Sequence, residues 1–125
     1  MMDIYTSYYA NPIFKSNLKD TFYFIRISCS KPEWFHVNDS ISEFYPPYKL
    51  VDLMKSGIVS EDKYISTYRA ILDNLDCVSV LNKHIKGINK DIALLCWESP
   101  IEFCHRHILA DKLNDYGYSI KELDN

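Results

Sequence analysis

Glycine and proline are scarce in this chain of 125 residues, at three and five respectively. That scarcity excludes a low-complexity or loop-dominated polypeptide, which draws heavily on both. Long apolar runs are also missing. None approaches the about 20 residues that a membrane-spanning helix requires, so no membrane association is expected. The opening residues "MMDIYTSYYANPIF" lack the basic segment and apolar run of a secretory signal. Lys and Arg never cluster beyond a pair, and the formal net charge is −3. A protein that grips a phosphate backbone carries a basic stripe, so bulk nucleic-acid binding is not expected, while a local basic pocket stays open. Four cysteines (Cys29, Cys77, Cys96 and Cys104) with no signal segment read as reduced thiols. They point to the cytoplasm, of a bacterium or of a phage-infected host cell. A chain rich in Ile, Lys, Asn, Asp and Tyr is what an AT-rich genome encodes.

What is present is an ordinary globular composition, 47% hydrophobic and 25% charged. The length suits one domain, residues 1–125, with a substantial core. Ten tyrosines and six phenylalanines supply that core and its rim, and some tyrosines could line a wet groove. "DIYTSYY" (3–9) reads as a first strand. "TFYFIRISC" (21–29) and "KDIALLCWE" (90–98) are nearly continuous apolar runs, as expected of strands buried on both faces of a parallel sheet. Residues 30–49 contain three prolines and read as one irregular loop. Helical spacing follows at 47–57 and at 60–75, where Ser60 is a cap, and again at 76–87, which ends on Gly87. Ser99, Pro100 and Glu102 resemble a capping box opening a helix over 99–117. "YSIKEL" (118–123) reads as a last short strand. The expected fold is α/β: one compact domain with a mostly parallel sheet of about four strands and flanking helices.

The chemistry concentrates in "LLCWESPIEFCHRHILADKL" (94–113). Cys96 and Glu98, two apart, share one pleat face at the carboxyl end of a strand. Ile108, Leu109 and Leu113 define the inward stripe of the next helix, with His105 near its middle and Cys104 and Arg106 on its shoulders. A strand end that feeds a helix N-terminus is where open α/β folds bind ligands. Cys104 beside His105 and Arg106 would tend towards thiolate. Each residue also has a plain structural role open to it: Cys96 and Cys104 as small buried hydrophobes, His105 as a satisfied core histidine, and Arg106 paired with Glu98 or Glu102. Cys96, Cys104 and His105 or His107 could instead ligate zinc, although no standard Cys-x-x-Cys spacing is present. No cofactor is otherwise expected. Cys29, Trp34 and His36, in or beside the long loop, could cover the same site.

"DIALLCWESPIEFCHRHILADKL" resembles the signature of the domain of unknown function 488 family. That signature is an apolar strand with Leu-Leu-Cys, one further residue and Glu, then a turn and Cys-His-Arg opening an apolar helix. Cys96, Glu98, Cys104, His105 and Arg106 match it position by position. The similarity extends through "IYTSYYAN", "IRIS" with a following Pro and Trp-Phe, and "YISTYRAILDNLD", as in a short bacterial and phage variant. Longer members carry Gly-His-Ser after the first strand and Asp-Val-Arg after the second. Here Ser7 corresponds to the first motif, and Arg26 and Ser28 lie near the second. The resemblance implies fold and site, and leaves the activity open.

The leading expectation is an enzyme, or former enzyme, acting on a small phosphate-bearing, nucleotide-like molecule. Cys104 would be nucleophile, His105 acid/base, and Glu98 would orient His105 or Arg106. Arg106 would hold the anion, with Ser7, Arg26 and Cys96 completing the pocket. The alternatives are a non-catalytic binder that sequesters a nucleotide signal or blocks a host protein, and a purely structural cluster.

Overall fold

The computed structural model describes residues 2–16, 20–98 and 104–123. Five parallel strands form one sheet: β1 (Ile4–Tyr8), β2 (Phe22–Arg26), β3 (Asp39–Ser40), β4 (Asp91–Cys96) and β5 (Lys121–Glu122). Their order is β3-β2-β4-β1-β5. β4 is central, running from Ile92 opposite Ile4 to Cys96 opposite Tyr8 on one side. On its other side it pairs from Asp91 opposite Phe22 to Leu95 opposite Arg26. Everything in β4 after Asp91 is buried, which is why its sequence is an unbroken apolar run.

Strand alternation separates two cores. Ile25, Ile27, Ile92 and Leu94 face a layer of four helices: α1 (Tyr48–Lys55), α2 (Glu61–Asp73), α3 (Cys77–Ile85) and α4 (His105–Asp115). Those helices contribute Leu50, Tyr68, Leu72, Leu81 and Leu109 to the same core. Phe22, Phe24, Ala93 and Leu95 point the other way, onto Tyr9, Phe14 and Phe35. Edge-to-face contacts knit this second cluster, with Phe14 and Phe24 at 5.0 Å and Phe24 and Phe35 at 5.1 Å. Each such pair adds about 1 kcal/mol beyond the burial itself.

The helices begin and end where local chemistry directs. Ser60 accepts a hydrogen bond from the Lys63 amide at 3.1 Å, and Asp76 accepts one from Ser79. Gly87 and Gly117 follow α3 and α4 with φ of +81° and +102°, a region costly to any residue with a Cβ.

The sheet differs from expectation in having five strands and being wholly parallel. The added strand, β3, lies inside the stretch read as an irregular loop. Nothing in Asn38-Asp39-Ser40 favours a strand. Its pairing is imposed by the β2 edge, where Asn38 and Ile41 amides donate to the carbonyls of Phe24 and Arg26. The Asp39 carboxylate, 2.7 Å from His84 Nδ1, ties it to α3. A second difference is the start of α4. Cys104 is its N-cap, in extended backbone (φ −150°, ψ 143°), so the helix opens at His105. The expected cap at Ser99, Pro100 and Glu102 lies outside the described residues. Among the described residues no helix is long and apolar enough to cross a membrane.

Candidate functional site

The chain leaves β2 towards the aromatic face, where Phe35 packs, and leaves β4 towards the helical face, into α4. Adjacent parallel strands whose connections diverge in this way open a crevice at their carboxyl ends. A cleft of about 350 Å³ occupies that position. Ser28, Cys29 and Ser30 line it from the β2 side, and Trp97, Glu98, Cys104 and His105 from the β4 side. Tyr48, Val51, Met54 and Lys55 of α1 and Tyr64 of α2 complete the wall. Trp97 is fixed in place, since its indole N–H donates to the Ser30 carbonyl at 3.0 Å and contacts the Ser30 hydroxyl at 3.1 Å. Its ring meets Tyr9 edge-on and stays 46% exposed, presenting an aromatic surface at the mouth.

His105 is buried beneath this cleft, edge-on to Tyr68. Its Nε2 is 2.7 Å from the Ile27 carbonyl. A carbonyl can only accept, so Nε2 carries the proton. The bare Nδ1 then faces Cys104 Sγ at 3.7 Å. Burial pulls the His105 pKa down to about 4, the cations of Arg106 and His107 push the same way, and the Ile27 hydrogen bond opposes them. The ring is therefore neutral at pH 7, with its Nδ1 lone pair turned towards the sulfur.

The sulfurs of Cys96 and Cys104 face one another in contact, with the two Cα atoms 7.7 Å apart. Cys104 lines the cleft, whereas Cys96 has no exposure. Behind them Arg106 is the largest fully buried side chain among the described residues. Its Nη1 donates to Cys96 Sγ at 2.9 Å and to the Glu98 carbonyl at 2.6 Å. Its Nε and Nη2 form a bidentate pair with Glu122, both at 3.0 Å. Thr6 donates to the same carboxylate at 2.8 Å.

These contacts redistribute the expected roles. Cys104, His105 and Glu98 do come together at the cleft, with Cys96 directly behind. Arg106 is not free to hold a ligand anion, because Glu122, Cys96 and the Glu98 carbonyl occupy its donors. Glu98 lines the cleft with its side chain but does not orient His105; the Ile27 carbonyl does. Its link to Arg106 is through the backbone. Ser7 belongs elsewhere: its pleat parity is that of Tyr5 and Tyr9, and its hydroxyl accepts from Asn11 at 2.9 Å on the aromatic face. Arg26 is spent on the chain that follows it, donating to the carbonyls of Ser28 (2.7 Å) and Cys29 and lying over the Tyr45 ring. Cys29 lines the cleft as expected, but Trp34 and His36 line a separate groove with Phe22 and Phe24.

Three contributors went unread in the sequence. Glu122, the counter-ion of Arg106, is recognisable only through the β1–β5 register that sets it opposite Thr6. Lys55 reaches the cleft from the polar face of α1, which looks like ordinary surface, and Tyr64 from the buried apolar stripe of α2, which looks like ordinary core. The ligand atoms of Cys96, Cys104 and His105 lie within 4.8 Å of one another, a donor set suited to zinc. Arg106 also donates to one of these sulfurs, that of Cys96.

Residues 30–117 match the model of a family described as DUF488-N3a, the active DUF488-N3 subclade. The matched span includes Trp97, Glu98, Cys104, His105 and Arg106, and excludes Ser7, Arg26 and Glu122. No curated protein and no solved structure matches the chain.

Proposed function

The chain belongs to the domain of unknown function 488 (DUF488) family, and from that premise and the cleft chemistry we propose an enzyme that acts on a nucleotide-like small molecule through Cys104. The observation carrying this reading is the Cys104–His105 arrangement at the floor of the cleft. The Ile27 carbonyl fixes the tautomer of His105 and turns its lone pair towards the sulfur. In the reduced protein His105 Nδ1 takes the thiol proton as the sulfur attacks an electrophilic ligand atom. The bond to the leaving group breaks, the proton passes from Nδ1 to that group, and water then displaces the Cys104 sulfur from the adduct, returning its proton to the thiol. That the matching subclade is described as active supports turnover.

The walls favour a flat ring with an anionic tail. Trp97 and the exposed Tyr48 offer ring faces, and the Ser28 and Ser30 hydroxyls offer polar contacts. Lys55 is the cation on the cleft wall that takes over the phosphate-binding role first expected of Arg106. A working Cys104 requires a reducing compartment, which supports a cytoplasmic location.

The test is incubation of the reduced protein with a panel of nucleosides and nucleoside phosphates, read by mass spectrometry. We expect one class to be consumed, with turnover falling at least about 100-fold in Cys104→Ser, as for loss of a nucleophile. Lys55→Ala should raise KM about 10-fold with kcat retained, the pattern of lost ground-state binding. Recovery of intact ligand from a stable complex would replace catalysis with capture, and absence of any binding would overturn the reading.

A further inference from the structure

We propose that Cys96, Cys104 and His105 form a zinc site at the floor of the cleft, holding one ion with its fourth position open to the cleft. The site stands on the placement of its ligands and of the groups around them. Its consequence, that bound zinc silences Cys104, rests on the reading of Cys104 as nucleophile.

Backbone spacing suits a shared ion. The Cα atoms of Cys96 and Cys104 stand 7.7 Å apart, beyond the about 7 Å that a disulfide bridges without backbone movement. Two thiolates, each about 2.3 Å from one zinc ion, span such a gap. The ligand atoms of all three residues lie within 4.8 Å of one another. Cys96 ends β4, while Cys104 caps α4 one residue before His105, so two rigid elements set the ligand positions.

The histidine is prepared as a ligand. A metal-bound imidazole coordinates through one nitrogen and donates its other N–H to a carbonyl or carboxylate. His105 Nε2 donates to the Ile27 carbonyl at 2.7 Å, which leaves Nδ1 bare and 3.7 Å from Cys104 Sγ. The ring is buried edge-on to Tyr68, which restricts its turning away.

The outer contacts fit as well. Arg106 Nη1 donates to Cys96 Sγ at 2.9 Å, and a cation there favours thiolate over thiol. Glu122 holds the guanidinium through two bonds at 3.0 Å. With zinc bound the charges close: two thiolates offset the dication, and Glu122 offsets Arg106. Buried charges need that balance. Thiolate and imidazole donors together select zinc over magnesium or calcium, which take oxygen ligands. Cys104, His105 and Glu98 line the cleft, so the fourth position faces it and takes water.

Binding moves protons and no electrons. Two thiols release two protons as two S–Zn bonds form, and the ion sheds water. A chelator reverses it. With the Cys104 sulfur and His105 Nδ1 both on the metal, the pair no longer acts as nucleophile and base.

The test titrates zinc into the metal-free, phosphine-reduced full chain against a chromogenic chelator, then repeats the titration with cobalt(II) as a spectroscopic stand-in. We expect one ion per chain, with thiolate-to-cobalt charge-transfer absorption and the intense visible bands of a four-coordinate site. Cys96→Ser, Cys104→Ser and His105→Gln should each weaken binding by more than the about 10- to 100-fold that losing an outer partner of a metal ligand costs. Cys29→Ser should bind as the wild type does, because the Cys29 thiol, though at the cleft, is held on the Pro46 carbonyl at 2.9 Å. Cobalt spectra without thiolate absorption, undiminished binding in Cys104→Ser, or a loss in Cys29→Ser would each overturn the site. Where a ligand variant fails to fold, the wild type decides. Zinc should shield Cys104 from iodoacetamide, as mapped by peptide mass, and equal labelling with and without zinc would overturn the site. These readouts need no substrate, so the site stands or falls apart from nucleotide turnover. Where turnover is found, zinc should abolish it and a chelator restore it; turnover that persists in the zinc-loaded protein would overturn the silencing.

Discussion

The two faces of the sheet receive side chains from the same strands and use them differently. The helical face holds the chemistry: Cys96, Cys104, His105 and Arg106 are buried there, each sulfur and nitrogen with a partner. The aromatic face holds rings and polar contacts such as Ser7 with Asn11 and Tyr9 with Ser28. Ser7 sits on β1, directly beside β4, yet it belongs to the other side. In a parallel sheet, pleat parity decides which residues can cooperate at a site, and nearness to a strand end does not.

The comparison breaks most visibly at Arg106. Replacing it with alanine strands the part-buried Glu122 carboxylate beside the buried Thr6 and should destabilise the fold by about 4 kcal/mol, as for losing one partner of a buried ion pair. A urea midpoint measures this, and a loss below about 1 kcal/mol would mean that the guanidinium is dispensable. On the aromatic face, Phe24→Ala removes a ring in contact with Phe14, Phe22 and Phe35. We expect a cost of about 3 kcal/mol, with turnover at Cys104 unchanged wherever the variant stays folded.

Acid should act through the helical face. Folded His105 protonates near 4, whereas an unfolded histidine does so near 6.5. Between those values the unfolded chain binds more protons. The His105 contribution is thus complete above pH 6.5 and lost as pH falls towards 4. By about pH 5 the loss amounts to about 2 kcal/mol. Comparing urea midpoints at neutral pH and about pH 5 tests it, and the slope should flatten in His105→Gln; an equal slope in both would remove the assignment. The smallest effect is expected from Ser7→Ala, which strips one hydrogen bond from Asn11 and should cost about 1 kcal/mol. Turnover should be untouched, and its loss would return Ser7 to the site.

What the sequence made legible follows the same divide. β2 and β4 stand out because burial on both faces demands unbroken apolar runs, and α2 because Ser60 and its apolar stripe are local signals. Cys96 and Glu98 were assignable to one pleat by counting. β3 carried no such signal, since its pairing comes from the β2 edge and not from Asp39 or Ser40 themselves. The start of α4 was misread because Cys104, an unusual N-cap, adopts extended backbone. Arg106 was recognisable as special, but its partner was not: Glu122 is distant in sequence, and only a tertiary register brings it close. Polar pairings across such separations leave no periodic trace.

Both outer strands of the sheet, β3 and β5, are two residues long and wholly polar: Asp39–Ser40 and Lys121–Glu122. Unpaired backbone at a sheet margin is the template on which another chain adds and aggregates. Here each margin offers too little ladder to recruit one, and its side chains carry charge or hydroxyls. The apolar strands that make the core are kept at least one position inside, so the molecule guards against assembling with itself by keeping its borders short.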